Sequence, residues 1–325
     1  MKSQLLFMLG AFLLALLTTY LLEKKFIPYL MRIKMGQTIL EIGPRWHKNK
    51  EGTPTMGGLF FMGGITVAFL AFCLPNVIRT GDLMPVKILC MMLLFGAVGF
   101  IDDFVKFVKK RNKGLSAMQK LVLQFAIAGA FLFAARDSLT TSLALPFTDF
   151  RLELGAFYWV LALLFLVYMV NAVNITDGID GLASGVTLVV FLFFAALSAK
   201  LLNLGQGIIS ASVCGGMVGF LIYNFHPARI FMGDTGSLFL GGAVAGMGFW
   251  LDMPLLIAVV GFIYLWEALS VVIQVLCYKL TKKRVFRMAP FHHHLEMGGW
   301  RENRIVAVFS LITAVLCAAG FIAFF

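Results

Sequence analysis

The sequence has few charged residues for its length. Asp, Glu, Lys and Arg make up only 13% of its 325 residues, whereas apolar residues make up 60%. Soluble domains carry about 25% charged residues, and a chain of this size has too little interior to bury so much apolar surface. The composition therefore excludes a cytosolic enzyme and a disordered chain, and it predicts a protein that crosses a membrane several times.

Several sequence signals that would suggest other functions are absent. The five cysteines lie in apolar stretches and none forms a C-x-x-C pair, so we interpret them as small core residues. A disulfide-stabilised secreted scaffold is thereby excluded. No G-K-[ST] phosphate loop and no internal repeat is found. We therefore expect a single polytopic transmembrane domain over residues 1–325.

Ten apolar runs predict the fold class, an all-α integral membrane protein with ten transmembrane helices. Each run is close to the roughly 20 residues that a helix needs to cross a bilayer, and a helix satisfies its own backbone polar groups in lipid. The runs cover residues 3–22, 55–78, 83–101, 117–135, 154–173, 182–199, 205–223, 235–251, 254–278 and 305–325. The loop at 136–153 is predicted to form a small hairpin or a segment lying on the surface.

The distribution of basic residues predicts the orientation. Lys plus Arg number 27 against 16 Asp plus Glu, a formal charge of +11. Loops after the odd-numbered helices hold 21 of the 27 basic residues, when Lys120 at the start of the next helix is counted with them. Basic loops stay in the cytoplasm, so we expect both termini outside. The charge suits membrane lipid and a phosphorylated ligand, and we expect no nucleic acid partner.

Carboxylates gather at predicted inner helix ends. Asp102 and Asp103 follow the third apolar run, and Asp234 lies between two glycines before the eighth. Acids at a membrane helix end are costly, which favours a functional site, and Mg²⁺ prefers oxygen ligands that it shares with substrate phosphates. The alternatives are a polar helix end that meets water and, for Asp234, a helix N-cap. The basic residues that follow the Asp pair are Lys106, Lys109, Lys110, Arg111, Lys113 and Lys120.

A second polar stripe follows the fifth apolar run. Asn171, Asn174, Asp177 and Asp180 recur every three residues, which places them on one slowly drifting face of a helix end. No basic residue accompanies them, so a merely solvated loop is a poor explanation. Gly178 would allow the backbone to approach a ligand closely. We interpret the stripe as part of a ligand-binding site.

Three further polar features complete the pattern. Phe231 lies in the loop after Asn224 and could stack a base or anchor the membrane interface. The histidines at 292–294 cannot share one helical face, so this run alone is not a zinc site, but imidazoles beside a phosphate can donate hydrogen bonds or act as acid and base. Glu267 lies inside an apolar run and is interpreted as a helix-to-helix hydrogen bond. The residues alone thus predict a metal-assisted reaction on a phosphorylated substrate at the membrane surface.

Five strings carry a family resemblance. They are HKNKEGTPTMGG at 47–58, DDFVK at 102–106, NAVNITDGIDGLA at 171–183, FMGDTGSLFLGG at 231–242 and APFHHH at 289–294. In this order the chain resembles the phospho-N-acetylmuramoyl-pentapeptide transferases (MraY type), a branch of the polyprenyl-phosphate N-acetylhexosamine-1-phosphate transferase superfamily. The histidine string is the part that points to the muramoyl-pentapeptide branch.

The resemblance implies a reaction, a cofactor and a location. Phospho-MurNAc-pentapeptide would pass from UDP-MurNAc-pentapeptide to undecaprenyl phosphate, giving lipid I and UMP in peptidoglycan synthesis, with Mg²⁺ required. The protein would be multi-pass in the bacterial inner (cytoplasmic) membrane, with its active site on the cytoplasmic face. The family also suggests that nucleoside inhibitors can occupy the uridine pocket and that the chain can form a homodimer.

The resemblance also implies roles for particular residues. Asp234 would ligate the metal beside Asp102 and Asp103. Asp102 would act as the base that deprotonates the lipid phosphate or as a nucleophile, and Asp103 would support the metal or position the phosphate. His292 would contact the diphosphate or assist the chemistry.

Further residues would bind substrate by the same resemblance. Some would form the nucleotide pocket, and the lysines would hold phosphates or sugar. The residues of this set are Lys50, Thr55, Lys106, Lys113, Lys120, Asn171, Asn174, Asp177, Gly178, Asp180, Asn224, Phe231, Gln274, Ala289, His293 and His294.

Two other functions compete with this one. A transferase that uses UDP-N-acetylglucosamine would share the aspartates, but the histidine string argues against it. A membrane transporter could use Glu267 as an intramembrane coupling group, but inverted repeats are absent and the polar residues cluster at one face rather than at the midplane.

Overall fold

A computed structural model of the chain describes residues 2–33, 50, 52–109, 113–322 and 324. Residues 47–49 and 51, which belong to the first of the five strings, lie outside this range. Lys110 and Arg111 of the basic run also lie outside the described residues.

Helices form most of the described chain, as the apolar runs predict. They are α1 (Lys2–Arg32), α2 (Gly58–Ala68), α3 (Leu74–Thr80), α4 (Met84–Val108), α5 (Ala117–Ala135), α6 (Phe157–Thr176), α7 (Leu182–Lys200), α8 (Leu204–Asn224), α9 (Gly233–Trp250), α10 (Leu256–Val260), α11 (Phe262–Thr281), α12 (Phe291–Glu296) and α13 (Glu302–Ile322). A π-helical turn at Phe69–Cys73 joins α2 to α3, and a 3₁₀ turn at Arg136–Ser138 follows α5.

One small hairpin interrupts the helices. Strands β1 (Ser142–Ala144) and β2 (Arg151–Glu153) pair antiparallel, with Ser142 opposite Glu153. The Arg151 guanidinium donates to Asp252 Oδ2 at 2.8 Å, which ties the hairpin to the turn after α9. The hairpin falls in the loop for which the sequence predicts a hairpin or a surface segment, so the first of these alternatives is found.

Within the described residues, nine helical stretches are long and apolar enough to cross a membrane. One of them, Gly58–Thr80, combines α2, the π-helical turn and α3. The chain is therefore a multi-pass membrane protein built from helices. The remaining predicted run, 235–251, falls on α9, which is helical but is not among the nine. Its 18 residues are rich in glycine and 15 of them are buried, so α9 is enclosed by other helices.

Helix boundaries differ from the apolar runs at three main places. α1 continues ten residues beyond the predicted end at 22, to Arg32. α4 does not stop near Ile101 but continues to Val108, so Asp102 and Asp103 lie within the helix. The helix continues because ion pairs with lysine compensate these acids, which hydropathy alone does not register. The run at 254–278 is divided, because Gly261 (φ −100°, ψ 20°) leaves the helical region between α10 and α11.

Close helix contacts place α9 at the centre of the site. α9 packs against α2, α4 and α6, and glycine makes the approach possible. A Cβ on Gly99 of α4 would lie 2.1 Å from the Asp234 carbonyl oxygen, and one on Gly58 would lie 2.3 Å from the Gly236 nitrogen. The polar beginning of α9 is thereby held against the end of α4.

Candidate active site at the polar helix ends

Three carboxylates meet where α4 ends and α9 begins. Asp102 and Asp103 are buried in the last two turns of α4, and Asp234 is partly buried in the first turn of α9. One oxygen from each lies within 4.8 Å of the others, so the three could hold a metal ion together. The sequence prediction that these residues form one cluster is therefore confirmed by their positions, although the ligation itself stays a prediction.

Two lysine ammonium groups lie among these carboxylates. Lys106 Nζ is 2.6 Å from Asp102 Oδ2 and 3.1 Å from Asp234 Oδ2. Lys120, from the first turns of α5, lies 3.0 Å from the same Asp102 oxygen and also pairs with Asp234. The acids lie so close together because the two positive charges offset their repulsion, and a divalent cation could supply the same charge.

Neutral groups orient the carboxylates. Asp103 Oδ2 accepts hydrogen bonds from the Thr235 backbone N–H at 2.9 Å and from its hydroxyl at 2.7 Å. Asn174 at the end of α6 donates to Asp234 Oδ1 at 3.0 Å and to the Ser237 hydroxyl at 2.7 Å. α6 and α9 thus fix the directions in which the acids of α4 and α9 point.

The glycine before Asp234 is required by the geometry. Gly233 has φ +69°, and a Cβ there would lie 2.5 Å from Asp103 Oδ2 and 2.9 Å from the Thr55 hydroxyl oxygen. Thr55 is thereby placed at the edge of the carboxylate cluster. Its segment is joined to the loop before α9 by a hydrogen bond from the Phe231 N–H to the Pro54 carbonyl oxygen at 2.8 Å.

A basic cavity of about 780 Å³ opens beside the carboxylate cluster. It is lined by Asp102 and by Lys106, Lys109, Lys113 and Lys120. Lysines around a cavity favour binding of phosphate oxygens. The predicted phosphate-binding lysines of the α4–α5 region are therefore brought together on one cavity.

Asp177 caps the carboxyl end of α6 beside the carboxylate cluster. Within the described residues its side chain has no hydrogen bond or ion pair. Burial and the nearby charges of Asp234, Asp103 and Asp180 raise its pKa well above the usual value. A ligand that supplies a hydrogen-bond donor or a cation would relieve this destabilisation, which suits the predicted binding role.

A second polar cluster combines Lys50, Asp180, His226 and Glu302, and we call it the Lys50 cluster. Lys50 Nζ lies 2.7 Å from both Asp180 Oδ1 and Glu302 Oε2. Asp180 Oδ2 is 3.0 Å from His226 Nδ1. The group lines a cavity of about 600 Å³ together with Thr53, Trp300 and Arg301. Its acids and histidine have the chemistry of metal ligands, but the Lys50 ammonium already bridges both carboxylates.

His292 is fully buried and held by Glu267. The Glu267 carboxylate accepts from the His292 backbone N–H at 3.1 Å and lies 3.0 Å from its Nδ1. The Nε2 atom is buried, has no partner among the described residues, and faces Gly178, where a Cβ would come within 2.2 Å of it. The interpretation that Glu267 makes a hydrogen bond between two helices is thus confirmed. The bond joins α11 to α12.

The two neighbouring histidines have other partners. His293 Nδ1 is 2.6 Å from Glu296 Oε2. The ring of His294 stacks on Phe291 at 5.4 Å, and its Nδ1 accepts from the Arg287 N–H at 3.1 Å. Ala289 lies just before this helix, in a cis peptide bond with Pro290. The three histidines therefore have different hydrogen-bond partners, although the rings of His292 and His293 lie 4.2 Å apart.

Three amides predicted to bind substrate are engaged in holding the fold. Asn224 is buried, accepts from the Gly181 N–H at 3.1 Å and donates to the Ile230 carbonyl oxygen at 2.9 Å. Asn171 donates to Gln124 of α5 at 2.7 Å. Gln274 accepts from the Phe286 N–H at 2.9 Å. Their hydrogen bonds shape the loops around the site, and substrate contacts by these residues stay a prediction.

Sequence reasoning missed Glu302 and His226. Lys50 and Glu302 are separated by 252 positions, and Glu302 lies between Arg301 and Asn303 just before an apolar run. In the sequence, His226 is a single polar residue in the loop that follows Asn224. Their contacts with Asp180 and Lys50 arise only in the folded chain, where the end of α8 and the start of α13 lie beside the turn between α6 and α7.

These features define a class of protein, namely a multi-pass membrane protein with a carboxylate and lysine site suited to phosphorylated substrates. Comparison with known proteins makes the class specific. The model of glycosyl transferase family 4 matches residues 85–252. Signature 1 of the phospho-N-acetylmuramoyl-pentapeptide-transferases matches residues 50–61, which include Lys50 and Thr55.

Curated relatives match over nearly the whole chain. The phospho-N-acetylmuramoyl-pentapeptide-transferase of Clostridium botulinum (strain Alaska E43 / Type E3) is 46% identical over 97% of this chain and 96% of its own. That of Acetivibrio thermocellus is also 46% identical, over 96% and 94%. That of Caldicellulosiruptor bescii is 44% identical over 90% and 89%. The chain belongs to the phospho-N-acetylmuramoyl-pentapeptide-transferase family, so the resemblance seen in the five strings is confirmed.

Proposed function

We propose that the protein transfers phospho-MurNAc-pentapeptide from UDP-MurNAc-pentapeptide to undecaprenyl phosphate and releases UMP. The product would be lipid I, in the bacterial cytoplasmic membrane. The observation that carries the proposal is the cluster of Asp102, Asp103 and Asp234 with two lysines, in a chain similar over its length to transferases of that name. The alternative donor UDP-N-acetylglucosamine is disfavoured by the signature at 50–61.

We propose that the chain crosses the membrane ten times, with α9 added to the nine candidate spans. Both termini would lie outside, and the site would face the cytoplasm. Two observations support this topology. Most basic residues flank the same helix ends that form the site, as the positive-inside rule requires. α9 begins at the carboxylate cluster and packs along α4, which is itself long enough to span.

Mg²⁺ is the proposed cofactor. Asp234 would be its main ligand, with Asp102 and Asp103 beside it, because the available donors are carboxylate oxygens and these suit a hard cation. When bound, the metal would neutralise charge on the diphosphate of the donor. The lysines fit the same purpose, since Lys106 and Lys120 already place two positive charges at the Asp102 and Asp234 oxygens.

The side chains of the site would position two phosphorylated substrates. Lys106, Lys113 and Lys120 line one cavity and would hold phosphate oxygens, since phosphoryl transfer depends chiefly on positioning and charge stabilisation. Asp102 would take the proton of the lipid phosphate, because its carboxylate lines the basic cavity that would hold that phosphate. Attack by Asp102 itself, through an aspartyl-phosphate, is the alternative.

The nucleotide part of the donor is proposed to lie near the turn between α6 and α7. Asn174, Asp177, Asp180 and Phe231 would form the pocket, with His292 close to the diphosphate. The contact of the His292 imidazole with Gly178 supports this, because it brings α12 to the same turn. Occupation of this pocket by nucleoside inhibitors, and assembly of the chain as a homodimer, are further proposals taken from the family.

The experiment measures UMP release by the purified protein. Undecaprenyl phosphate is supplied with UDP-MurNAc-pentapeptide or UDP-N-acetylglucosamine, with Mg²⁺ or a chelator, alongside Asp102→Asn and Asp234→Asn. Mg²⁺-dependent release from the muramoyl donor alone, lost in both variants, is the expected result. Release from the other donor would move the protein to the alternative branch, and no release from either by folded protein would favour the transporter.

A further inference from the structure

The Lys50 cluster connects four distant parts of the chain. Lys50 precedes α2, Asp180 lies in the turn between α6 and α7, His226 follows α8, and Glu302 begins α13. The Asp180 and Glu302 side chains are almost fully buried, whereas Lys50 retains 15% exposure. Lys50 and His226, which is 39% exposed, are thus the members of the cluster that a ligand in the cavity can reach most easily, and of these two Lys50 is the one paired with both carboxylates.

Glu302 makes two contacts with one oxygen. Its Oε2 accepts from the Lys50 ammonium at 2.7 Å and from the Asp180 backbone N–H at 2.9 Å. The same carboxylate thereby sets both the position of Lys50 and the course of the turn that carries Asp180. Charge-assisted hydrogen bonds of this length are among the stronger polar contacts in proteins.

Within the described part of the chain, the ammonium group of Lys50 has one N–H donor without a partner. A lysine carries three N–H donors, and two are directed at Asp180 Oδ1 and Glu302 Oε2. Lys50 also lines the 600 Å³ cavity. A long flexible lysine held by two carboxylates loses its mobility before the ligand arrives, so the third N–H is already placed for an acceptor oxygen.

We propose that Glu302 is a positioning residue that holds Lys50 for an oxygen acceptor on the nucleotide-sugar donor. This inference rests on the proposed function and adds to it a residue that none of the five sequence strings contains. Glu302 does not itself need to touch the substrate. Its action through Lys50 predicts an effect on donor binding rather than on the transfer step, because the carboxylate cluster shares no residue with the Lys50 cluster.

The test is a double-mutant cycle in the full-length protein. Glu302→Gln, Lys50→Met and the double variant are compared by UMP release, with UDP-MurNAc-pentapeptide and undecaprenyl phosphate varied in turn. We expect Glu302→Gln to raise KM for the nucleotide donor about tenfold, with kcat within about twofold and KM for the lipid unchanged. In the Lys50→Met background the Glu302→Gln substitution should have no further effect, since Gln can still accept from the Asp180 N–H and the lysine that Glu302 positions is gone.

Controls separate positioning from folding. Glu153→Gln on the exposed strand β2 removes the same charge away from the site and should match the unsubstituted protein. Glu302→Asp keeps the charge with a shorter reach, and its donor KM should lie between those of the Glu and Gln forms. Thermal unfolding of each variant is measured in the same detergent.

Several outcomes would overturn the inference. Additive effects of the Lys50 and Glu302 substitutions would show that they act independently, and a loss confined to kcat would exclude a binding role. Failure of both Glu302 variants to fold would assign Glu302 to stability instead. If the unsubstituted protein released no UMP, the proposed function itself would be refuted. If it were active and Glu302→Gln left the donor KM unchanged, only this inference would be refuted.

Discussion

Replacement of Gly99 by alanine tests how closely α4 and α9 must pack for the site to form. The added Cβ would lie 2.1 Å from the carbonyl oxygen of Asp234, 2.3 Å from its carbonyl carbon and 2.5 Å from the Thr235 nitrogen. These neighbours are backbone atoms, so they cannot turn aside as a flexible side chain could. Ordinary contact begins at 3.4 Å, and α9 must therefore shift by roughly 1 Å relative to α4.

The shift has two measurable costs. Overpacking of this kind destabilises by about 1–3 kcal/mol, and it should lower the thermal midpoint of the purified protein. A displacement of about 1 Å at catalytic groups can reduce the rate about 100-fold, and Asp234 lies directly at the contact. We therefore expect the Gly99→Ala variant to release UMP far more slowly than the unsubstituted protein, although it can still be purified as a folded membrane protein.

Gly129→Ala is the matched control. Gly129 lies in α5, and a Cβ there would meet no atom within 4 Å. Alanine favours helix over glycine by about 1 kcal/mol in both places, so the difference between the two variants isolates the steric contact. If Gly99→Ala matched Gly129→Ala in both thermal midpoint and kcat, the argument that this contact seats the carboxylate cluster would be wrong.

Other predictions follow from buried polar contacts. Asn224→Leu should destabilise the protein by about 3 kcal/mol, since a buried N–H and a buried carbonyl lose their partner; an unchanged thermal midpoint would contradict this. Gly178→Ala should lower kcat, because its Cβ would displace the His292 ring, and a normal kcat would remove His292 from the site. The pKa of Asp177 is raised in the folded protein, so this carboxyl ionises at a lower pH in the unfolded chain than in the folded one. The free energy of unfolding should therefore fall as the pH rises from about 4. Asp177→Asn should abolish that fall in chelator-treated protein, and an unaltered pH profile of the thermal midpoint would refute it.

The carboxylate cluster depends on its two lysines as much as on its three acids. Asp102 and Asp103 are buried, and a charge buried in a protein is costly unless an opposite charge lies beside it. Lys106 and Lys120 supply that charge from two different helices. These two positive charges are therefore in place before any substrate binds, as the proposed phosphoryl transfer would require.

Much of the architecture was determined by the sequence itself. Apolar runs of near-spanning length predict membrane helices because lipid cannot satisfy the backbone, and nine of the ten runs correspond to candidate spans. The Asp102–Asp103 pair, the histidine string and the glycine-flanked Asp234 stand out because polar and charged residues are costly near lipid and are retained there chiefly for function. These signals are local, so they can be read from one stretch of chain at a time.

The tertiary structure decided which of these residues meet. Asp102 and Lys120 are close only because α4 and α5 turn back on each other, and Lys50 reaches Glu302 across 252 positions. The family resemblance implies that Asn224 and Gln274 bind substrate, and the fold shows that their amides also hold backbone groups of neighbouring loops. Hydropathy records whether a side chain prefers water or lipid, but it carries no information about its partner. The partner is set by helix packing, which here depends on backbone contacts as close as that of Gly99 with Asp234.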